Sequence, residues 1–277
     1  MTELTSQQRR DAARLAFSLL DLTSLTNQET DADIHALCEN AQWRDAEGHR
    51  IHVAALCVYP RFIPLARKLL DERELFQVRI ATVTNFPAGG CDIDIAVKET
   101  QASVAYGADE VDVVFPYQAF MNGDTETPLR LIQACKAACG TGVQLKVILE
   151  TGELKTAALI QQASELAIAA GADFIKTSTG KVPVNATPEA ADVMLQCISA
   201  HYAAAAKNPA PARPVGFKPA GGIRTLEDAL VYIRAAERIV GADATRPAVF
   251  RLGASSVRGH LVSVLEGAEE TQQAGGY

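Results

Sequence analysis

Long apolar runs are missing from this sequence of 277 residues, and no stretch approaches the ~20 apolar residues that a membrane-spanning helix needs. Residues 1–10 are polar and lack the apolar stretch of a secretory signal, which predicts a cytoplasmic protein. Basic residues are outnumbered by acidic ones, 26 to 33, and the formal net charge is −7. Because an acidic chain repels nucleic acid and anionic membrane surfaces, we expect neither as a partner.

Motifs for metal or redox chemistry are also missing. The six cysteines include no CxxC pair, and the five histidines include no HExxH sequence. Cys135 and Cys139 are four residues apart on a predicted helix, and we interpret them as small core residues rather than as a metal or redox pair. The sequence therefore predicts no metal site.

Short apolar runs alternate with helical patterns at intervals of roughly 25 to 40 residues, the spacing of βα units with parallel strands. Eight units predict a single (β/α)8 TIM-barrel domain over residues 1–277, with an extra N-terminal helix and a flexible C-terminal tail from about residue 267. An open doubly wound sheet is the alternative. The predicted strands are Leu19–Thr23, Val53–Tyr59, Arg79–Asn85, Glu110–Phe115, Gln144–Glu150, Phe174–Ser178, Val215–Pro219 and Phe250–Gly253. The predicted helices are about Ser6–Ser18, Thr30–Trp43, Arg61–Arg73, Asp92–Tyr106, Pro128–Ala138, Thr156–Ala170, Pro188–Ala206, Leu226–Val240 and Val257–Leu265.

Polar residues occupy the inner face of several predicted strands. Side chains alternate along a strand, and the outer face of a barrel packs against helices and should be apolar. In Glu110–Phe115, outward Val111 and Val113 leave Asp112 facing the interior. The same rule places the following residues inside the predicted barrel: Asp21, Thr23, Cys57, Asp112, Lys146, Lys176 and Lys218.

The predicted interior therefore holds three lysines and at least two aspartates. Because a buried unpaired charge is costly, each of these groups needs a partner or an altered pKa. A set of structural ion pairs is one interpretation. We favour an amine site, since a lysine crowded by other cations has a lowered pKa and can attack a carbonyl at neutral pH. The residue types alone leave open which lysine is the nucleophile.

The segments after the last three predicted strands are rich in glycine and small hydroxyl residues. Barrels frequently bind phosphate with the loops after strands seven and eight and with a helix N-terminus, where backbone N–H groups can approach an anion. A lone Gly-Gly is usually a tight turn, so this prediction depends on three such loops in the expected positions. The candidate phosphate-binding residues are Gly180, Lys181, Gly221, Gly222, Arg224, Gly253, Ser255 and Ser256.

Three segments surround the inward lysines and aspartate: FIKTSTG at 174–180, GFKPAGG at 216–222 and GADEVDVVFP at 107–116. Together with shorter segments at 20–23, 57–62, 81–87, 145–154 and 253–256, they resemble the deoxyribose-phosphate aldolases. The similarity runs in order from about Asp21 to Ser256 and is highly specific. It weakens in the first 18 residues, in 43–50, in 207–214 and in the tail before Tyr277.

The resemblance implies a class I aldolase that needs no metal or cofactor. Such an enzyme reversibly joins acetaldehyde and D-glyceraldehyde 3-phosphate into 2-deoxy-D-ribose 5-phosphate, a reaction of deoxynucleoside catabolism. By resemblance, Lys176 forms the Schiff base, Lys218 lowers its pKa, and Asp112 moves protons with Lys218 and a water. Tyr277 would enter the site and help to exchange protons at the enamine carbon. We expect further substrate contacts from Asp21, Thr23, Cys57, Lys146 and Thr179.

Two other functions remain open at this point. A Schiff-base aldolase or transaldolase could use a different donor, such as dihydroxyacetone phosphate. A sugar-phosphate-binding regulator could retain the barrel, although a pure binder would need the phosphate loops and not Lys176, Lys218 and Asp112. The sequence does not decide the oligomeric state, for which a homodimer is one option, or the physiological direction of the reaction.

Overall fold

Eight parallel strands form one continuous sheet in the computed structural model, which describes residues 4–207 and 213–268. The strands of the structure are β1 Leu20–Thr23, β2 Gln42–Arg44, β3 Arg50–His52, β4 Ala55–Val58, β5 Arg79–Thr84, β6 Glu110–Val114, β7 Gln144–Ile148, β8 Phe174–Lys176, β9 Gly216–Lys218 and β10 Leu252–Ala254. The eight strands of the large sheet lie in the order β10-β1-β4-β5-β6-β7-β8-β9. Parallel bridges between Phe217 and Phe250 and between Ala220 and Gly253 link the two ends of this sheet, so that it forms a barrel.

Helices surround this barrel. They are α1 Ser6–Ser18, α2 Asp31–Glu39, α3 Ile63–Glu72, α4 Ile93–Ala105, α5 Tyr117–Met121, α6 Glu126–Cys139, α7 Thr151–Leu154, α8 Ala157–Ala169, α9 Pro188–Ala205, α10 Leu226–Ile239 and α11 Val257–Leu265, with 3-10 turns at Pro60–Phe62 and Ala242–Ala244. Several begin at side-chain caps: Thr187 accepts from the N–H of Ala190, and Thr225 forms a reciprocal capping box with Asp228. Within the described residues, no helix has the length and apolar character needed to cross a bilayer.

The predicted barrel, with its extra N-terminal helix α1, is confirmed, and each predicted strand corresponds to a barrel strand. One prediction was wrong: the helix proposed over Thr30–Trp43 ends at Glu39, and Gln42–Arg44 pairs antiparallel with Arg50–His52. The hairpin closes through Asp45, which accepts a hydrogen bond from the N–H of His49 at 2.7 Å. A turn held by this aspartate competes with the continuation of a helix.

The outer face of the sheet and the inner sides of the helices form the main apolar core, as the strand alternation predicts. It includes Val111 and Val113 of β6 and Cys135 and Cys139 of α6, in keeping with the interpretation of these cysteines as core residues. The barrel interior has a much smaller apolar cluster, formed by Leu25, Ala55, Cys57, Ala81 and Val83. Most of the remaining interior is therefore left to charged side chains.

Phe174 and Gly216 form a large–small pair inside the barrel, on neighbouring strands in direct register. A Cβ atom added at Gly216 would lie 2.3 to 2.6 Å from three atoms of the Phe174 ring. Both residues precede a lysine by two positions and so share its inward face. The missing side chain at Gly216 thus allows the ring to fill the barrel below the lysines.

We expect Gly216→Ala to lower the free energy of unfolding by about 1–3 kcal/mol, because the added methyl group overpacks the Phe174 ring. Urea denaturation measures this change. Gly142→Ala is the matched control, since nothing lies within 4 Å of a Cβ atom there. Equal stability of the two variants would show that the barrel interior relaxes around the added methyl group.

Candidate active site

Lys176 and Lys218 are the last residues of the neighbouring strands β8 and β9. They lie directly opposite each other in the strand pairing. Both side chains point into the barrel, where they meet Asp112 of β6. The carboxyl ends of barrel strands carry the catalytic groups in this architecture, so the pair lies where chemistry is expected.

Asp112 is the centre of a network of buried charges. Its Oδ1 accepts a hydrogen bond from Lys146 at 2.8 Å, and its Oδ2 accepts from Lys176 at 2.9 Å and from Lys218 at 2.8 Å. Burial on its own would raise the pKa of Asp112, but the three lysines hold that pKa well below its usual range. Asp112 is therefore an ionised carboxylate shared among three amines.

The network continues towards the amino ends of the strands. Asp21 contacts Lys218 at 2.5 Å and Lys146 at 3.5 Å. Arg251 donates to Asp21 at 2.7 Å and makes two hydrogen bonds to Glu110, at 2.6 and 2.9 Å. Glu110 also contacts Lys146 at 2.5 Å. We call these seven side chains the interior charge network: Asp21, Glu110, Asp112, Lys146, Lys176, Lys218 and Arg251.

The interior charge network contains three carboxylates and four basic groups. An unbalanced charge is costly in a buried site, so the network balances when one basic group is neutral. Arg79 also approaches Glu110, at 3.7 Å, but its side chain is 47% exposed and water screens its charge. Charge balance alone does not say which basic group is neutral.

Lys176 is the basic group best suited to be neutral. Burial lowers its pKa; Asp112 opposes that effect, nearby Lys218 adds to it, and the pKa ends below the ordinary value. Burial would also lower the pKa of Lys218 and Lys146, but the surrounding carboxylates raise both above the ordinary value. Lys176 is also 4% exposed, whereas Lys146 and Lys218 are completely buried. A ligand in the barrel mouth can therefore reach the amine that loses its proton most easily.

Thr23, Cys57 and Thr179 lie around this network with partners of their own. Thr23 Oγ1 donates to the carbonyl oxygen of Asp21 at 2.8 Å. Cys57 is buried in the barrel interior, and that burial raises the pKa of its thiol despite the nearby lysines. Thr179 donates to Glu150 through its hydroxyl at 2.5 Å and its N–H at 3.2 Å, which fixes the loop after Lys176.

Two of the three predicted phosphate loops are joined in the structure. The N–H of Gly221 donates to the carbonyl oxygen of Gly253 at 3.2 Å, so this N–H is already occupied. Gly253 has no room for a side chain, because a Cβ atom would lie 3.0 Å from Cε of Lys218 and 2.8 Å from Cβ of Ala220. Lys181 reaches across the barrel mouth and donates to the carbonyl oxygen of Leu25. The exposed members of the predicted set are Gly180, Lys181, Gly222, Arg224, Ser255 and Ser256.

The sequence analysis missed three buried charged residues of the site: Glu110, Glu150 and Arg251. Glu110 precedes Asp112 by two positions, so the same alternation could have placed it inside the barrel. Arg251 lies between the outward Phe250 and Leu252 and carries the same signal. Glu150 follows the end of β7 with a φ of 54°, a conformation that strand alternation does not describe.

Tyr277 and the proposed tail beyond residue 268 lie outside the described residues. Among the described residues, Asp45, Glu47 and His49 place potential ligand atoms within 4.8 Å of one another. Asp45 accepts hydrogen bonds from two nitrogens of His49, so the hairpin turn accounts for this closeness.

Solved structures share this fold over nearly the whole chain. A candidate deoxyribose-phosphate aldolase from Coccidioides immitis is 27% identical, with a TM-score of 0.72 over 97% of this chain and 100% of that chain. Deoxyribose phosphate aldolase from Aeropyrum pernix, described as tetrameric, is 26% identical, with a TM-score of 0.67 over 96% and 97%. A candidate deoxyribose-phosphate aldolase from Toxoplasma gondii is 22% identical, with a TM-score of 0.80 over 94% and 98%, a likeness of fold alone.

The sequence also matches a family model along most of its length. Residues 15–246 match the model of the DeoC/LacD family aldolases. This range contains nine of the ten strands, β1 to β9, and both Lys176 and Lys218. The chain therefore belongs to the DeoC/LacD family of aldolases.

Proposed function

We propose that this aldolase cleaves 2-deoxy-D-ribose 5-phosphate reversibly to acetaldehyde and D-glyceraldehyde 3-phosphate through a Schiff base on Lys176. The observation that carries the proposal is the position of Lys176 at the open end of the barrel, 2.9 Å from Asp112 and opposite Lys218, where burial and Lys218 lower its pKa. The solved relatives above 25% identity that carry the name deoxyribose-phosphate aldolase support the choice of substrate.

Imine formation needs a neutral amine and a supply of protons. Neutral Lys176 attacks the aldehyde carbon of the open-chain sugar and gives a carbinolamine, which loses water to form a protonated imine. Lys218 remains an ammonium, because Asp112 and Asp21 raise its pKa above the ordinary value, against the effect of burial. It therefore keeps a proton beside the reacting carbon and repels a second positive charge on Lys176.

Carbon–carbon cleavage follows from the positive imine. The hydroxyl group on the third sugar carbon loses its proton, the bond between the second and third carbons breaks, and the electron pair moves into the imine to give an enamine. D-Glyceraldehyde 3-phosphate leaves as the first product. Asp112 and Lys218, with a water, move the protons, and Tyr277 helps to protonate the enamine carbon. Hydrolysis then releases acetaldehyde and regenerates Lys176.

The loops at the same end of the barrel as Lys176 can hold the phosphate group of the substrate. Ser255 and Ser256 precede α11, and Gly222 follows β9, so all three lie at the same end of the barrel as Lys176. The positive end of a helix dipole and small side chains favour an anion there. We assign the phosphate to these loops, and no metal or cofactor takes part in any step.

Reduction with borohydride in the presence of acetaldehyde should attach an ethyl group to Lys176. The expected selectivity follows from its lowered pKa and from its slight exposure, which Lys146 and Lys218 lack. Peptide mass spectrometry locates the group, and Lys176→Met is the control that should remain unlabelled. A label on Lys146 or Lys218 in the unmodified protein would contradict the assignment.

Replacing Lys218 by Leu should move the acid limb of the pH–rate profile to higher pH. Removal of this cation raises the pKa of Lys176, so less of the amine is neutral at pH 7. Each unit of increase lowers the neutral fraction about tenfold on the acid side.

Lys218→Arg is the matched control for this profile, since it keeps the positive charge beside Lys176. Its turnover can fall because the proton donor has changed, but its acid limb should remain near that of the unmodified enzyme. If the acid limb of Lys218→Leu also stays in place, the two amines do not interact and the proposed lowering of the Lys176 pKa is wrong.

Ser256→Asp should raise KM for D-glyceraldehyde 3-phosphate about tenfold or more, because a carboxylate repels the phosphate at close range. Condensation of acetaldehyde with an unphosphorylated aldehyde should change little. Ser256→Asn, similar in size and uncharged, separates repulsion from crowding. Equal losses with both aldehydes would remove this loop from phosphate binding. Replacing acetaldehyde by dihydroxyacetone phosphate in the same assay tests the alternative donor.

A further inference from the structure

A cavity of about 380 Å³ lies at the amino ends of the barrel strands, opposite to Lys176. Its lining includes Arg79 and Gln144, the first residues of β5 and β7, and Arg251, which comes directly before β10. The hairpin strand β3 covers one side with Arg50 and His52. This cavity is therefore separate from the proposed sugar site, with the interior charge network between them.

The lining is strongly cationic, although the whole chain carries a net charge of −7. It includes three guanidinium groups, of which that of Arg251 is paired with Asp21 and Glu110, and the lining residues include no aspartate or glutamate. Glu110 lies 3.7 Å from Arg79, but it is completely buried and is already held by Arg251 and Lys146. Arg50 and Arg79 therefore carry the positive charge that the lining presents to a ligand.

Arg50 and Arg79 keep most of their hydrogen-bonding capacity for a ligand. Arg79 lies 3.7 Å from Glu110, too far for a hydrogen bond, and its side chain is about half exposed. Arg50 makes a long contact of 3.4 Å to the carbonyl oxygen of Arg73. A guanidinium has five N–H donors, so both side chains can bind an oxyanion with two parallel hydrogen bonds.

Gln144 lines the cavity and, in the part of the chain that the structure describes, has an unpaired amide oxygen. Oε1 of Gln144 is buried and has no partner among the described residues. An amide oxygen accepts from an O–H group, which a phosphate monoanion or a sugar hydroxyl supplies. The two arginines suit an anion, and a movement of the Gln144 side chain would let its buried oxygen accept from a ligand hydroxyl, so the lining matches a small phosphorylated, hydroxylated metabolite.

We infer that the cavity at the amino ends of the strands is a second binding site, which takes a small phosphate ester through Arg50 and Arg79. Planar guanidinium groups suit phosphate better than lysine does, because they present fixed pairs of donors. The volume of about 380 Å³ exceeds what inorganic phosphate fills and leaves room for a short hydroxylated carbon chain.

Calorimetric titration with inorganic phosphate tests this site in the full-length protein. We expect saturable binding that Arg50→Gln and Arg79→Gln each weaken about tenfold or more, since each removes a charge-assisted hydrogen bond. Arg79→Lys keeps the charge but loses the paired donors, so its affinity for phosphate should lie between those of Arg79→Gln and the unmodified protein. Arg130→Gln removes an exposed arginine of α6 outside the cavity and should bind as the unmodified protein does.

Phosphate can also occupy the loops near Lys176, so the location has to be measured. Ser256→Asp should weaken phosphate binding at the loops near Lys176 and leave unchanged the phosphate binding that depends on Arg79. Trp43, the single tryptophan, pairs with Ile51, which lines the cavity, so its emission should change in step with the Arg79-dependent binding. Phosphate affinities that are equal in Arg50→Gln, Arg79→Gln and the unmodified protein would overturn the inference, whatever Trp43 shows.

Discussion

The carboxylate of Asp112 is the constraint on which this active site depends. Three lysine side chains converge inside the barrel, and each donates a hydrogen bond to this one group. Three ammonium groups at such distances would repel one another strongly without it. Asp112 is ionised because of these lysines, and the lysines can lie together because Asp112 is ionised. The hydrogen bonds that hold the three lysines together in the barrel are therefore the same ones that set the charge of the proposed catalytic groups.

The interior charge network has one basic group more than it has carboxylates, and this surplus favours a neutral amine among the buried lysines. With three carboxylates and four basic groups, the interior charge network is balanced when Lys176 is neutral. Lys146 and Lys218 are held as cations by two or more carboxylates each, whereas Lys176 contacts Asp112 alone within the described structure. Lys176, the lysine nearest to the mouth of the barrel, therefore has the lowest pKa of the three lysines.

Strand alternation predicted the inward position of Asp21, Asp112 and the three lysines because each is next to an outward-facing apolar residue on its strand. It was not applied to Glu110 and Arg251, which lie at strand ends where the pattern is short. It could not describe Glu150, since the backbone there has left the strand. The predicted helix Thr30–Trp43 ran two residues into the hairpin strand β2, because the turn that forms the hairpin depends on the hydrogen bonds of Asp45. The choice of Lys176 over Lys218 came from family resemblance, and the difference in pKa between them needed the three-dimensional contacts.

The odd charge count in the barrel also bears on how such a protein can evolve. A lineage that replaced Lys176 with an uncharged side chain of similar volume would lose the proposed nucleophile and keep three cations beside three carboxylates. Natural selection for a folded barrel would not oppose that change, whereas it would oppose loss of Asp112, which would leave four basic groups beside two buried carboxylates. Catalysis in this architecture is thus easier to lose than the scaffold, and inactive descendants that retain the other six charges are an accessible evolutionary outcome.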